Sequence, residues 1–277
     1  RFRNVTGVQT CALPIWDNRV KADDPKYAGL EHDEDFDAEF EASHVAPLLA
    51  ALDEKLKDVI GTVEGADLVS SERTIADRYI RECAIGNFMN DALVDRSTTF
   101  ANGRIDFAVF NATGLAAGVA EGPLTFKQWF DVMPYADNVH VATMTGEQIR
   151  DMLDNNAKRI LRPEEAAKGD VKLDSFVSRG FLHFSSGIRY RVDYGNSATE
   201  ARAVEILLND QPIESQLDKT FQVAFSTYIA LGGFGEAWNG KPIAGGVPGD
   251  IVSMDLRKLD YLHTGLVYRN EIIAFIR

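Results

Sequence analysis

From Ser71 onward the chain alternates between short apolar segments and amphipathic ones, and turns rich in Gly, Asn and Asp separate them. The short apolar segments have the length and composition of β-strands. They cover residues 105–110, 139–144, 181–184, 188–193, 203–208 and 220–225. Because strands outnumber helices in this region, the sequence predicts an α+β domain with mixed β-sheets flanked by helices, and not a regular parallel wound sheet.

Two helices stand out within this region. Residues 81–94 place apolar side chains at helical spacing. Residues 145–148 read Thr-Gly-Glu-Gln and match a capping box, in which Thr and Gln satisfy the first free amides of a helix. We expect this second helix to run to about Leu161 and to stop before Pro163.

The first sixteen residues are set apart from the folded protein. Residues 5–15 read VTGVQTCALPI and resemble the translation of a short-read sequencing adapter, so residues 1–16 are predicted to be foreign to the domain. The true start of the gene is then expected upstream, and the lack of a visible signal peptide carries no information. Cys11 falls in this segment, which leaves Cys83 without an intrachain disulfide partner.

An acidic linker and a connector helix are predicted over residues 17–70. Seven of the eleven residues 31–41 are Asp or Glu, which indicates a solvated linker, with an acidic functional tail as the alternative. Apolar residues recur at helical spacing from Val45 to Ile60 and predict an amphipathic helix that buries one face. The compact domain is expected to span residues 71–277.

Charge and hydropathy exclude two classes of partner. With 29 basic and 42 acidic residues, the formal net charge is −13, which opposes the counterion release that drives binding to nucleic acid. A small anion in a local basic pocket remains compatible with this charge. The apolar runs are strand-sized and shorter than the roughly 18 residues that a membrane span needs, so no membrane span is predicted.

Motifs for metal binding and nucleophilic catalysis are missing from the sequence. The five histidines include no pair at i+3 or i+4, neither HExxH nor CxxC occurs, and each histidine is interpreted as structural or on the surface. No Gly-x-Ser-x-Gly elbow is present. The run GGFG at 232–235 lacks the Lys and Ser or Thr of a phosphate loop, so it indicates a turn. The sequence therefore predicts no metal and no cofactor within this chain.

Seven separated segments carry a more specific signal. They are RECAIGN at 81–87 with DA at 91–92, NATGLA at 111–116, GPLT at 122–125, VMPY at 132–135, MTGEQ at 144–148, SGIRY at 186–190 and YIALGG at 228–233. In this order they resemble the C-terminal domain of the 5′-nucleotidases, a family that includes UDP-sugar hydrolases and 2′,3′-cyclic-nucleotide phosphodiesterases. The resemblance covers residues from about 71 to 240 and implies the fold of that domain.

The resemblance also implies a division of labour. In such enzymes an N-terminal metallophosphoesterase domain holds two divalent metal ions and cleaves the phosphate ester, while the C-terminal domain grips the substrate and rotates to deliver it. By this resemblance the chain is a fragment that binds a nucleotide or related phosphate ester and is inactive alone. Its catalytic partner would be an upstream domain in cis, and the family implies export to the periplasm or cell surface.

Substrate-binding residues follow from the same resemblance. Arg81 corresponds to an arginine that reaches the substrate, and a guanidinium suits phosphate or sugar hydroxyls; the alternative is a surface ion pair with Asp77 or Glu82. Tyr135 and Tyr228 stand where the family places two aromatic rings that sandwich the base, and core tyrosines are the alternative.

The remaining implied site residues lie in turns. Asn111 and Gly114 end the first strand of the domain, where we expect a side-chain amide and exposed backbone amides to contact a ligand. Gly232 and Gly233 form the turn after Tyr228. A plain turn is the alternative at these positions.

Two positions depart from the family pattern. Ala116 stands in place of an arginine, and Phe234 in place of the aspartate that holds the ribose hydroxyls. Losing both is expected to cost on the order of a few kcal/mol of nucleotide affinity. Two functions therefore stay open: a domain that binds a less typical phosphate ester, and a binding or structural module that kept the fold but lost nucleotide recognition.

Overall fold

The computed structural model describes residues 38–100, 104–167, 180–231, 252 and 254–277. The described helices are α1 (Ala46–Leu56), α2 (Ser71–Asp77), α3 (Ala84–Arg96), α4 (Phe126–Val132), α5 (Gly146–Ala157), α6 (Pro163–Ala166), α7 (Thr227–Ala230) and α8 (Tyr268–Ile276). The described strands are β1 (Val59–Val63), β2 (Phe107–Asn111), β3 (Gly122–Thr125), β4 (Asn138–Thr145), β5 (Leu182–Phe184), β6 (Ile188–Asp193), β7 (Arg202–Leu208), β8 (Gln211–Pro212), β9 (Thr220–Ser226) and β10 (Asp260–Val267).

The six strands expected from the sequence are all present, each within two residues of its expected ends. The capping box is confirmed at the start of α5, where the Thr145 hydroxyl accepts a hydrogen bond from the Gln148 amide at 3.2 Å. That helix ends at Ala157, earlier than expected, and Pro163 begins the short helix α6 instead of closing the longer one.

The connector helix differs from its prediction in length and in burial. It ends at Leu56, because the β-branched run that begins at Val59 pairs as strand β1 with β3. Its apolar side chains are not buried: Leu48 and Leu49 are 71% and 53% exposed. The expectation of one continuous helix to Ile60 with a packed face is therefore wrong.

Three sheets organise the described residues. The largest has five strands in the order β10-β4-β9-β2-β5, in which only β2 and β9 run parallel. Strands β6, β7 and β8 form an antiparallel sheet, and β1 pairs with β3. Mixed pairing of this kind confirms the predicted α+β class.

Both faces of the five-stranded sheet are covered. Phe110 on β2 points into a core shared with α3 and α8, while Phe107 and Val109 point into a second core shared with α5 and the three-stranded sheet. Neighbouring residues of a strand face opposite sides. Burial on both faces explains why β2 reads as a continuous apolar run.

Candidate functional site

The implied site residues in the described part of the chain collect at one end of the five-stranded sheet. Because β2 and β9 are parallel, with Val109 opposite Phe225, their carboxyl ends lie side by side. Strand β4 is antiparallel to β9, so it begins at this same end. Asn111 closes β2, Tyr228 directly follows β9, and Tyr135 lies just before β4. Chain topology thus brings together residues that are far apart in the sequence.

Asn111 offers a buried hydrogen-bonding group at this end. Its side chain is 3% exposed, and its Oδ1 has no hydrogen-bond partner among the described residues. Strand pairing with Leu182 of β5 fixes the backbone beneath it. A buried amide oxygen without a partner costs free energy, so such a group in a folded protein calls for an explanation, and a ligand donor is one.

Gly114 has a packing reason to be glycine. A Cβ atom built at this position would lie 2.5 Å from Cε1 of the Phe110 ring, well inside van der Waals contact. Any larger residue would push Phe110 out of the core it shares with Tyr268. This requirement holds whether or not a ligand binds nearby.

The two tyrosines lie on turns that are hydrogen-bonded to each other. Tyr135 is 46% exposed and follows Pro134, while Tyr228 is half-buried and packs against the second core. Asp137, two residues beyond Tyr135, accepts a hydrogen bond from the Tyr228 amide at 3.2 Å. Burial raises the pKa of the Asp137 carboxyl above its usual value, although the hydrogen bond from the Tyr228 amide partly opposes this shift. The turns that carry the two rings are thereby held side by side.

A half-buried arginine contacts the segment just before Tyr135. Arg269, in the first turn of α8, donates from Nη1 to the Met133 carbonyl at 2.8 Å. Its guanidinium lies 4.2 Å from the centre of the Phe130 ring, a favourable cation–π geometry. Burial lowers the pKa of Arg269. The Tyr135 turn is thus tied both to α8 and to the segment after β9.

Arg81 follows a segment that packs beside the end of β2. Two residues earlier, Tyr79 packs with Ala112 and Phe181 in a small third core. The Tyr79 carbonyl accepts a hydrogen bond from the Leu161 amide at 2.8 Å. The Arg81 side chain is 61% exposed, and its Nε lies 3.3 Å from Oδ1 of Asp77. The ion pair named as an alternative is therefore present, at the same end of the sheet as Asn111.

A histidine that the sequence marked only as structural or surface lies close to this end. The imidazole of His140, on β4, is 4% exposed, and its Nε2 is 3.0 Å from the Thr227 hydroxyl. Its Nδ1 is hydrogen-bonded to the hydroxyl of Tyr261 on β10. No spacing rule could have revealed this group, since β10, β4 and the start of α7 meet only in the folded sheet.

A cavity of about 810 Å³ lies at the opposite end of the sheet, lined by residues such as Thr143, Gln222 and Asp260. Its charged side chains include Arg96, whose guanidinium is paired with Glu271 at 3.0 Å. None of the implied site residues lines this cavity. The candidate site is therefore the end that holds Asn111.

Some of the predicted features lie in residues that the structure does not describe, and others concern metal sites and membrane-spanning helices. Gly232, Gly233, the adapter-like segment and the first part of the acidic linker lie outside the described residues. Across the described ranges, no group of three His, Cys, Asp or Glu side chains is arranged to hold a metal ion. Within those same ranges, no helix is both long and apolar enough to cross a bilayer.

Comparison with known proteins assigns the family. Residues 59–239 match the family model described as 5′-nucleotidase, C-terminal domain. Because this match covers well over half of the chain, the protein belongs to the 5′-nucleotidase C-terminal domain family. The match begins at strand β1, the first strand of the described fold.

Three relatives are similar over the same region. The trifunctional nucleotide phosphoesterase YfkN of Bacillus subtilis is 26% identical over 65% of this chain, which covers 12% of that protein. An apyrase of Tabanus yao is 24% identical over 62% of the chain and 31% of its own length. Protein UshA of Salmonella pullorum is 22% identical over 62% of the chain and 24% of its length. The chain thus spans less than a third of these relatives.

Solved structures agree on the fold. The 5′-nucleotidase precursor from Thermus thermophilus superposes with a TM-score of 0.59 at 20% identity, covering 88% of this chain and 40% of that one. A putative 5′-nucleotidase from Staphylococcus aureus, in complex with alpha-ketoglutarate, also gives 0.59, at 17% identity, with coverages of 89% and 41%. The predicted family resemblance and fold class are both confirmed.

Proposed function

We propose that the chain is the substrate-binding domain of a 5′-nucleotidase-type metallophosphoesterase and that it binds a nucleotide or a related phosphate ester. The observation that carries this proposal is the unpaired, buried Oδ1 of Asn111 at the end of the sheet where the turns of Tyr135 and Tyr228 meet. Two of the relatives are named as a nucleotide phosphoesterase and an apyrase, which is consistent with such a ligand.

Each group has a role in this proposal. The rings of Tyr135 and Tyr228 stack on the base, an interaction worth roughly 1–3 kcal/mol per base. Asn111 accepts a hydrogen bond from the ligand through its free Oδ1. Arg81, exposed beside the same edge, donates to a phosphate or sugar oxygen. Gly114, Gly232 and Gly233 are the remaining residues that we propose as ligand contacts.

Bond cleavage is assigned to another part of the full-length protein. In this proposal an N-terminal metallophosphoesterase domain, joined in cis, holds the two divalent metal ions, and the present chain alone is inactive. In the same proposal, residues 1–16 do not belong to the natural protein, and the segment 17–70 includes the linker and the connector helix. The complete protein is proposed to be exported to the periplasm or cell surface.

The second candidate function is a module that kept the fold without nucleotide recognition. Ala116 favours it, since this residue is exposed at the candidate site and offers no side-chain donor where the family has an arginine. Its backbone amide donates to the Val132 carbonyl at 2.9 Å, so it also offers no free amide to a ligand. The two functions differ in whether a base-bearing ligand binds at all.

Isothermal titration of the full 277-residue chain with AMP, adenosine and a 2′,3′-cyclic nucleotide tests the proposal. We expect saturable binding of at least one of them. Tyr135→Ala should weaken that binding about tenfold or more, because it removes one stacking face. Tyr135→Phe is the matched control, since it keeps the ring and should leave the affinity within about twofold.

Absence of saturable binding to all three ligands, in a chain shown to be folded by circular dichroism, would favour the module. Binding that is equally strong in wild type and Tyr135→Ala would refute the stacking role while leaving the ligand class intact.

A further inference from the structure

The short helix that carries Tyr228 is held in place by contacts from distant strands. Helix α7 has four residues, Thr227–Ala230, and a helix of this length has little stability of its own. The Thr227 hydroxyl at its start accepts a hydrogen bond from the Asn138 amide at 2.9 Å. The orientation of the next residue, Tyr228, therefore depends on tertiary hydrogen bonds.

His140 is the buried member of this arrangement. Its Nε2 lies 3.0 Å from the Thr227 hydroxyl, and its Nδ1 is hydrogen-bonded to the Tyr261 hydroxyl. The three residues form a continuous row that runs from β10 through β4 to the start of α7. Thr227 lies 87 residues and Tyr261 121 residues after His140 in the sequence, so only the folded sheet brings them to it.

The surroundings of His140 keep its ring neutral at neutral pH. Burial, with the nearby His263 ring at 4.5 Å between centroids, lowers the pKa of His140 to about 4. A neutral imidazole has one donor and one acceptor nitrogen. Both nitrogens are engaged, one by a threonine hydroxyl and the other by a phenol, so the ring is fixed at both ends.

We propose that His140, held by Tyr261, is a positioning residue that fixes the start of α7 through Thr227 and thereby sets the Tyr228 ring for stacking on the base. The inference rests on the proposed function, because it requires Tyr228 to contact a base. It goes beyond that function by assigning a role to three residues that do not touch the ligand themselves.

A double-mutant cycle with adenosine as the ligand tests this role in the full chain. His140→Phe keeps a ring of similar size but loses both nitrogens, whereas His140→Gln retains a polar group that reaches Thr227. We expect His140→Phe to raise the Kd for adenosine about fivefold and His140→Gln to restore it to within about twofold. In a Tyr228→Leu background, which keeps apolar bulk against the core, His140→Phe should have no further effect.

Thr227→Val and Thr227→Ser provide a second pair should His140→Phe not fold, as judged by circular dichroism and thermal melting. Valine removes the hydroxyl at constant shape and should behave as His140→Phe does, while serine keeps the hydroxyl and should behave as the wild type.

Three results would overturn the inference. The first is an unchanged Kd for adenosine in folded His140→Phe or Thr227→Val. The second is a loss of affinity on His140→Phe that is equally large in the wild-type and the Tyr228→Leu backgrounds. Wild-type affinity in Tyr228→Leu itself would show that the ring does not stack. Failure of the folded wild-type chain to bind adenosine, AMP or a cyclic nucleotide is a different outcome, because it refutes the proposed function and the inference falls with it.

Discussion

At the scale of single residues, Asp77 holds two arginines, one of which is the proposed ligand-binding residue Arg81. Its carboxylate is largely buried and receives Arg73 on Oδ2 and Arg81 on Oδ1. A guanidinium has five N–H donors, so pairing with Asp77 leaves Arg81 donors for a ligand. The ion pair therefore does not decide whether Arg81 is a ligand contact or only a surface ion-pair partner. Comparing AMP affinity after substitution of Arg81 and of Arg73 does decide it.

We expect Arg81→Ala to weaken AMP binding about tenfold, the effect of losing one charged hydrogen bond. Arg73→Ala is the matched control, because it removes the other partner of Asp77 and should leave AMP affinity within about twofold. Isothermal titration measures both affinities. Because Asp77 keeps one of its two arginines in each variant, both should unfold within about 2 kcal/mol of the wild type in urea. Equal AMP affinity in the two variants would remove Arg81 from the site.

At the scale of elements, local sequence signals determine where the helices of the domain begin. Helices α4 and α5 both start with a capping box, formed by Thr125 with Gln128 and by Thr145 with Gln148. The box on α5 also sits at the end of β4, where the amide of Gly146 donates to the Lys219 carbonyl at 3.0 Å. The cap thus joins the helix to the loop before β9.

Thr145→Ala should lower the free energy of unfolding by about 1 kcal/mol, since it leaves the Gln148 amide without its acceptor. Thr145→Ser keeps the hydroxyl and should restore most of that loss. Urea titration followed by far-ultraviolet circular dichroism measures the difference. Equal stability of the alanine and serine variants would show that the cap contributes nothing measurable.

At the scale of the whole molecule, the edge strand β5 of the central sheet is tied to its neighbouring elements by buried polar groups as well as by apolar packing. His183, on β5, is 3% exposed, and its Nε2 donates to the Arg78 carbonyl at 2.9 Å. Its own carbonyl accepts from the Asn90 side chain at 3.0 Å, which links β5 to α3. Burial is the main reason that the pKa of His183 falls to about 4.

This depressed pKa predicts a loss of stability in acid. The unfolded chain, whose histidines titrate near 6.5, binds a proton more readily than the folded protein does, so stability falls as the pH drops from about 6.5 toward 4. Between pH 7 and pH 5 this one histidine should account for about 2 kcal/mol.

Urea unfolding at pH 7, 6 and 5 checks this dependence. His183→Gln retains a donor for the Arg78 carbonyl but has no titrating ring, so its stability should fall less steeply than that of the wild type over this range. Identical slopes for the two proteins would contradict the assignment to His183.

Six of the ten described strands and the cap of α5 could be predicted from the sequence, because each depends on residues that are near neighbours in the chain, while the family followed from short motifs in a fixed order. Short apolar runs placed those six strands to within two residues, and the Thr-x-x-Gln spacing placed the start of α5. The same reasoning failed for the connector helix. Apolar spacing there continued through Val59 and Ile60, but pairing with β3 drew those residues into a strand.

The sequence by itself determined the class of domain and six of its ten described strands, because turn chemistry, periodicity and capping are local properties. Only the tertiary structure decided which side chains meet. The parallel pairing of β2 with β9 sets Asn111 beside the turn of Tyr228, and the pairing of β10 with β4 brings Tyr261 to His140. Such contacts depend on strand order and register across more than a hundred residues, and no spacing along the chain encodes them directly.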